Sequence, residues 1–205
     1  MDLKQRILDT ARGLFFRYGL KSVSMDDIAG ELGVSKKTLY EVFRHKKEII
    51  NNITSDFLCR QKEHHCQILE NVNDAVEELL ELMKVIHHIF SSLDLRVIYD
   101  MQRYYPEAWQ IYIDHKEEVI MKDIVKNLQR GINEGLFRPE INVEIIARMR
   151  LEQIQLAMDP AFFPQDKYEI FEVHRQLLLQ YLHGICTQNG LIKLAKSREK
   201  IFNTK

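Results

Sequence analysis

Apolar side chains recur at intervals of three and four residues along almost the whole of this 205-residue chain, and no stretch alternates with the period of two that marks a strand. Leu3, Ile7, Leu8, Ala11, Leu14, Phe15 and Tyr18 form one such stripe, and Gly19 behind them offers the backbone freedom that closes a helix. With 4 Pro and 8 Gly to interrupt it, the chain is expected to fold as an all-α protein.

The helix boundaries carry their own chemistry. Ser24-Met25-Asp26-Asp27 places a hydroxyl three residues ahead of a carboxylate, the spacing of a capping box. The helix it opens turns Met25, Ile28, Ala29 and Leu32 inward and ends at Gly33. Ser35 can cap a third, short helix with Leu39 and Phe43 inward, and Lys46 opens a fourth that runs to about Asn71. Further helices are expected over Asp74–Phe90, Leu93–Tyr105 (stopped by Pro106), Glu107–Glu134, Val143–Met158 and Tyr168–Cys186. After an interruption at Asn189-Gly190, Leu191–Phe202 forms the last. No internal repeat or low-complexity segment is present.

Charge is unevenly placed. Residues 1–50 hold ten Lys/Arg against seven Asp/Glu, a net of +3, while the remainder carries −4. A basic first quarter on a mildly acidic body fits a nucleic-acid-binding module joined to something that does not touch nucleic acid. No apolar run approaches the roughly 20 residues of a membrane span, and the charged start lacks a secretory pattern, so a cytoplasmic location with no membrane partner is expected. Cys59, Cys66 and Cys186 make no disulfide framework. Cys59 and Cys66, near His64 and His65, could share a helix face and hold a metal, but without a CxxC pair buried thiols are expected instead and no metal site is assigned. The adjacent pair His87-His88 points about 100° apart on a helix and is a poor chelate. No HExxH, GxSxG, glycine-rich phosphate loop or paired acid–base set occurs, so neither an enzyme nor a cofactor is expected.

Two short helices joined by a tight glycine turn make a helix-turn-helix, whose second helix enters the major groove. Ile28-Ala29-Gly30-Glu31-Leu32-Gly33-Val34-Ser35 supplies its parts, and the following helix presents Lys36, Lys37, Thr38, Tyr40 and Glu41 outward. Residues 36–47 hold five Lys/Arg and one acid. Lys46 and Lys47 stand in the first turn of the fourth helix, where the macrodipole disfavours positive charge by roughly 0.3–1 kcal/mol each. A bound phosphate would reverse that sign, and next to a helix-turn-helix phosphate binding is the preferred reading.

The block from Ile7 to Ile50 resembles the DNA-binding domain of the tetracycline-repressor (TetR) family. The matching residues are Leu14-Phe15…Gly19, Ser24…Ile28-Ala29 and Leu32-Gly33-Val34-Ser35-Lys36-Lys37-Thr38-Leu39-Tyr40…Phe43…Lys46…Glu48. The resemblance implies phosphate contacts from Ser24, Ser35, Tyr40 and Lys46, and base or near-base contacts from Lys36, Lys37 and Thr38. Ser24 stands where the family often has Thr, and His45 where a capping Ser is common. Glu41 could accept from a cytosine amino group, or pair internally with Lys37 or Arg44.

The resemblance further implies a three-helix DNA-binding domain over residues 1–47 and a larger helical ligand-binding and dimerisation domain over 48–205. The expected protein is a ligand-responsive regulator, a homodimer that leaves a palindromic operator when a small molecule binds. Val143–Met158 and Tyr168–Cys186 would then pair two copies, with Leu178, Tyr181, Leu182 and Ile185 at the seam and Gly184 allowing close approach. The aromatics Phe90, Tyr99, Tyr104, Tyr105, Trp109 and Tyr112 cluster in one stretch. Phe90, Tyr99, Tyr105, Trp109 and Tyr112, with Met83, His87 and Met149, are the candidate lining of a site for a small apolar or amphipathic effector.

Overall fold

The computed structural model describes residues 2–92, 96–164 and 166–202. They divide into two compact units, one of Met1–Lys62 with Ser91–His115 and the other of Glu63–Phe90 with Lys116–Lys205. The described residues are helical, joined by turns, with one isolated antiparallel bridge between Phe137 and Cys186. The division departs from a boundary after residue 47, because the segment from 91 to 115 packs with the N-terminal helices.

The first unit contains α1 (Leu3–Tyr18), α2 (Met25–Leu32), α3 (Lys36–Val42), the start of α4 (Lys46–Asn71), α6 (Arg96–Tyr104) and α7 (Pro106–His115). Its core joins Ile7, Ala11 and Phe15 of α1 to Ile28 of α2, Leu39 of α3 and Ile49, Ile50 and Ile53 of α4. Val97 of α6 and Ala108 of α7 complete it. The expected capping box is present: Ser24 Oγ accepts from the Asp27 N–H at 3.2 Å, and the Asp27 carboxylate accepts from the Ser24 N–H at 2.7 Å. Gly33 closes α2 in the left-handed region (φ 70°, ψ 31°), which a side chain would strain. Pro106 both ends α6 and opens α7, since a first-turn residue needs no N–H donor.

The second unit holds the end of α4, α5 (Ala75–Ser92), α8 (Met121–Asn133), α9 (Val143–Leu156), α10 (Ile170–Ile185) and α11 (Gln188–Phe202). Its core gathers Ala75, Val76, Leu80 and Met83 of α5, Leu128 of α8, Ala147 of α9, four leucine and isoleucine side chains of α10, and Leu194 of α11. The long helix expected over residues 107–134 runs from Pro106 to Asn133 and carries a π turn at Lys116–Ile120. That turn brings Lys116 to α9, where its buried ammonium donates to Glu152 at 3.0 Å and Gln155 at 2.5 Å. Asn189-Gly190 does not interrupt a helix but forms the first turn of α11, where Thr187 Oγ1 accepts from the Gly190 N–H at 3.2 Å. Cys186 is buried as expected, whereas Cys59 and Cys66 are exposed, so two of the three thiols are not core residues.

A charged cluster ties α4 to α5 and α8 in this unit. His65 lies between Asp123 (3.0 Å from Nδ1) and Glu78 (3.5 Å from Nε2), and Arg130 reaches Glu78 at 3.3 Å. Hydrogen bonds to Asp123 and Glu78 outweigh desolvation and raise the His65 pKa to about 9. A raised folded-state pKa gives stability that is full below the unfolded value near 6.5 and lost as pH rises through about 9. His65→Gln is therefore expected to lower unfolding stability by about 1–3 kcal/mol at neutral pH, with the gap from the parent protein closing as pH climbs past 9. Urea unfolding between pH 6 and 10 checks this, and a gap independent of pH would contradict it.

Candidate nucleic-acid interface

Helix α3 turns Leu39 fully and Val42 partly into the core, which leaves Lys36, Lys37, Tyr40 and Glu41 outward. Ser35 caps it, with Oγ accepting from the Thr38 N–H at 3.0 Å and standing 2.8 Å from Thr38 Oγ1. Ser24, Ser35, Lys36, Lys37 and Tyr40 are exposed, and Tyr40 leaves 47% of its surface open. The bond between Ser35 and Thr38 fixes one hydroxyl against the other at the start of the helix. Lys36 reaches back to Asp26 at 2.5 Å, an exposed pair that a phosphate can replace at little cost. Asp26 and Asp27 are the counterweight on this surface, and Asp27 is held below the usual carboxylate range by its bonds to Ser24.

Lys46, expected to contact phosphate, is half-buried in the free chain. Its half-buried ammonium donates to the Leu20 carbonyl and lies 5.7 Å from the ring centres of both Phe15 and Tyr105. Burial holds it below the ordinary lysine range, with Asp100 and Asp27 pulling the other way. A cation between two rings is favourable in itself, so in the free chain this lysine fastens the α1–α2 turn to the head of α4 and to Tyr105, between α6 and α7. Asp100, buried, accepts from the Lys21 N–H at 2.8 Å and secures the same turn from α6. Neighbouring Lys47 is exposed, 3.1 Å from Glu107, and Asn51 donates to the same carboxylate at 2.9 Å. At the head of α4 the Glu48 carboxylate accepts from the Arg44 N–H at 3.0 Å and holds the preceding turn against the helix. Sequence patterning had no signal for Asp100, a lone carboxylate on a polar helix.

The candidate effector residues are divided between the units. Tyr99, Tyr105, Trp109 and Tyr112 belong to the first, and Met83, His87, Phe90 and Met149 to the second. Trp109 and Tyr112 lie 5.1 Å apart, centre to centre, while Tyr99 is exposed. In the second unit Met83 is a core residue and His87 stacks on Phe171 at 4.2 Å. The side chain of Phe90 lies outside the described residues. Met149 points away from the core into an open groove of about 500 Å³ along α9, lined by Arg148, Gln153, Leu156 and Asp159 among others.

Leu178, Tyr181, Leu182 and Ile185, expected at a seam between two copies, are instead buried within the second unit's own core. The apolar surplus of α10 is consumed inside one chain. Gly184, expected to permit close helix approach, has open space where a Cβ would stand. Apolar surface is left uncovered on α9, where Ile145 and Met149 are 58% and 54% exposed, one turn apart, as well as at Phe162 and at Ile192 of α11. Among the described residues no helix is long and apolar enough to cross a membrane, and no group of His, Cys, Asp and Glu is placed to hold a metal ion.

Comparison with known proteins covers both units. Residues 7–53 match the family described as bacterial regulatory proteins, tetR family. The HTH-type transcriptional repressor KstR2 of Mycolicibacterium smegmatis is 24% identical over 194 residues, covering 91% of this chain and 92% of that protein. KstR2 of Mycobacterium tuberculosis is 28% identical over 148 residues, covering 69% and 72%. In fold, the chain is similar to a transcriptional regulator of Saccharomonospora viridis in complex with choline (TM-score 0.75, 22% identity, covering 90% of this chain and 98% of the other). It is also similar to Thermus thermophilus FadR, a repressor in complex with lauroyl-CoA (TM-score 0.60, 20% identity, covering 88% and 94%).

Proposed function

Because this chain belongs to the TetR family of helix-turn-helix transcriptional regulators, we propose that it is a repressor that occupies a palindromic operator as a homodimer and is released by a small apolar or amphipathic effector. The observation that carries the DNA-binding half is α3 itself: a capped helix whose Lys36, Lys37 and Tyr40 face solvent while Leu39, Val42 and the C-cap Phe43 hold it to the core. The relatives named repressors, and the fold neighbours holding choline or lauroyl-CoA, support the effector half. Release requires that the effector bind better to a conformation whose two reading helices no longer match the half-site spacing. For the dimer, the exposed Ile145 and Met149 on α9 offer the self-complementary patch that a two-fold contact uses.

The roles within the head separate by experiment. Lys37→Ala should relax sequence preference or lower the salt slope of binding by about one unit. Lys46→Ala should leave the slope unchanged and instead destabilise the first unit by about 1–3 kcal/mol, because it unfastens the Leu20 carbonyl and empties the cradle of Phe15 and Tyr105. Titrations of operator and random duplex at several salt concentrations, with melting curves, distinguish the two. A salt slope reduced by Lys46→Ala at unchanged stability would return Lys46 to the phosphate-contacting set. Failure of the wild-type chain to prefer any duplex over random sequence would defeat the regulator reading.

A further inference from the structure

Among the described residues, the buried charges of the second unit are compensated, with one exception. Asp74 has Lys193 at 2.7 Å, Glu78 has Arg130 and His65, and Lys116 has Glu152. Arg150 of α9 is 4% exposed, yet among the described residues no carboxylate lies within ion-pair reach of it, and its buried Nη1 has no hydrogen-bond partner. The guanidinium lies 5.3 Å from the ring centre of Tyr181 on α10, which covers one of its faces and offers no acceptor at Nη1. A guanidinium does not shed its proton at physiological pH, so burial leaves a permanent cation whose desolvation is repaid only in part by the ring. One turn on, Gln153 presents a second buried polar atom without a partner, its Oε1.

The surroundings restrict what can supply the missing charge. The other buried residues of α9 are Ala147 and Leu151, so the guanidinium's buried neighbours along its own helix are apolar. His174, buried on α10, is held down to about 4 by burial and by the field of Arg150, so it is neutral and adds no second positive charge. One fixed cation in an apolar setting suits one negative charge on an apolar body. It repels a quaternary ammonium and is too little for a multiply charged phosphate.

We propose that Arg150 is the anchor of the effector site and that the effector is a monoanionic amphiphile, a carboxylate on an apolar body whose oxygen accepts from Nη1. This deepens the ligand-responsive reading above and rests on it. An effector of this kind turns an uncompensated buried charge into a paired one, so binding stabilises the unit.

The test uses the full chain, a series of straight-chain carboxylates and the alcohols of matching length, with calorimetric titration and thermal melting. Carboxylates should bind more tightly than the alcohols, and Arg150→Met should weaken carboxylate binding by on the order of 10- to 100-fold while leaving the alcohols unchanged. Without ligand, Arg150→Met should melt at or above the parent temperature, because it removes a charge that nothing in the empty chain neutralises. Arg150→Lys keeps the charge, loses the planar fork, and should fold normally with intermediate carboxylate affinity. Equal carboxylate affinity in Arg150→Met and the parent, no carboxylate binding at all, or a clear loss of ligand-free stability in Arg150→Met would each overturn the assignment. Operator release separates this inference from the reading beneath it. A carboxylate that binds through Arg150 without releasing DNA keeps the anchor and defeats the ligand-responsive role, whereas release by an alcohol that is unaffected in Arg150→Met does the reverse.

Discussion

Leu178→Glu is expected to unfold the second unit, with a stability loss above about 4 kcal/mol, and not to yield folded monomers. Leu178 is 1% exposed and packs among the apolar residues of α5, α8, α9 and α10, so a carboxylate there is cut off from water. The size of the effect follows from adding two costs, the lost burial of a leucine and the desolvation of a charged group. Met149→Glu is the informative partner, because Met149 is 54% exposed in the single chain and a carboxylate on it remains hydrated. That change should leave thermal stability of the separated chain nearly intact and weaken self-association. Sedimentation together with circular dichroism on both variants decides the matter. A well-folded Leu178→Glu monomer would show that α10 is not committed to the intrachain core.

Gly131→Val should be comparably severe for a different reason. An added Cβ at residue 131 would stand 2.0 Å from the Phe137 ring, well inside van der Waals contact, and Phe137 is itself fully buried. The ring cannot retreat, because the chain on either side is fixed. The Leu136 and Phe137 N–H groups both donate to the Gly131 carbonyl at 2.9 Å, and the Arg138 N–H donates to the Ile185 carbonyl at 2.8 Å. Overpacking typically costs about 1–3 kcal/mol, and with both partners pinned the loss is expected at or above the top of that range. Gly131→Val/Phe137→Ala should recover part of it by vacating the ring, at the price of a cavity. A double-mutant cycle measured by chemical unfolding reports the coupling, and strict additivity would mean that the backbone moves aside.

The parts of the fold that could be read from sequence are those fixed by local chemistry. Ser24 with Asp27, Ser35, and Gly33 each dictate a cap or turn through atoms a few residues apart, so the helix-turn-helix was legible in detail. The direction of Lys46 was not. A lysine in a first helical turn is as consistent with solvent as with an aromatic cradle, and the cradle is completed by Tyr105, far along the chain. The apolar excess on α10 was visible, but periodicity does not say whether neighbours in the same chain or another copy will cover it, and here the chain covers it itself. Arg150 and Lys116 were hidden for a related reason. Charged residues on amphipathic helices read as solvated, and both were turned inward, Lys116 by a π turn that no pattern announces. The run of aromatics from Phe90 to Tyr112 looked like one lining because it is continuous in sequence, yet the described part of it belongs mostly to the first unit, with Met83, His87 and Met149 in the second.

The packing of α6 and α7 against the N-terminal helices bears on how such proteins can be recombined. Val97 and Ala108 sit in the same core as Ile28 and Leu39, Asp100 holds the Lys21 backbone, and Glu107 engages Lys47 and Asn51. The DNA-binding head is thus discontinuous in sequence, and a gene fusion cut within α4 would divide it. A chimera that grafts residues 1–62 onto another body would inherit foreign side chains at these four positions, leaving the Lys21 N–H without its acceptor and a seam in the core. Exchange of binding specificity between relatives should therefore succeed more often when the segment 91–115 travels with the head, which makes it part of the transferable cassette, despite lying beyond the helix-turn-helix in the chain.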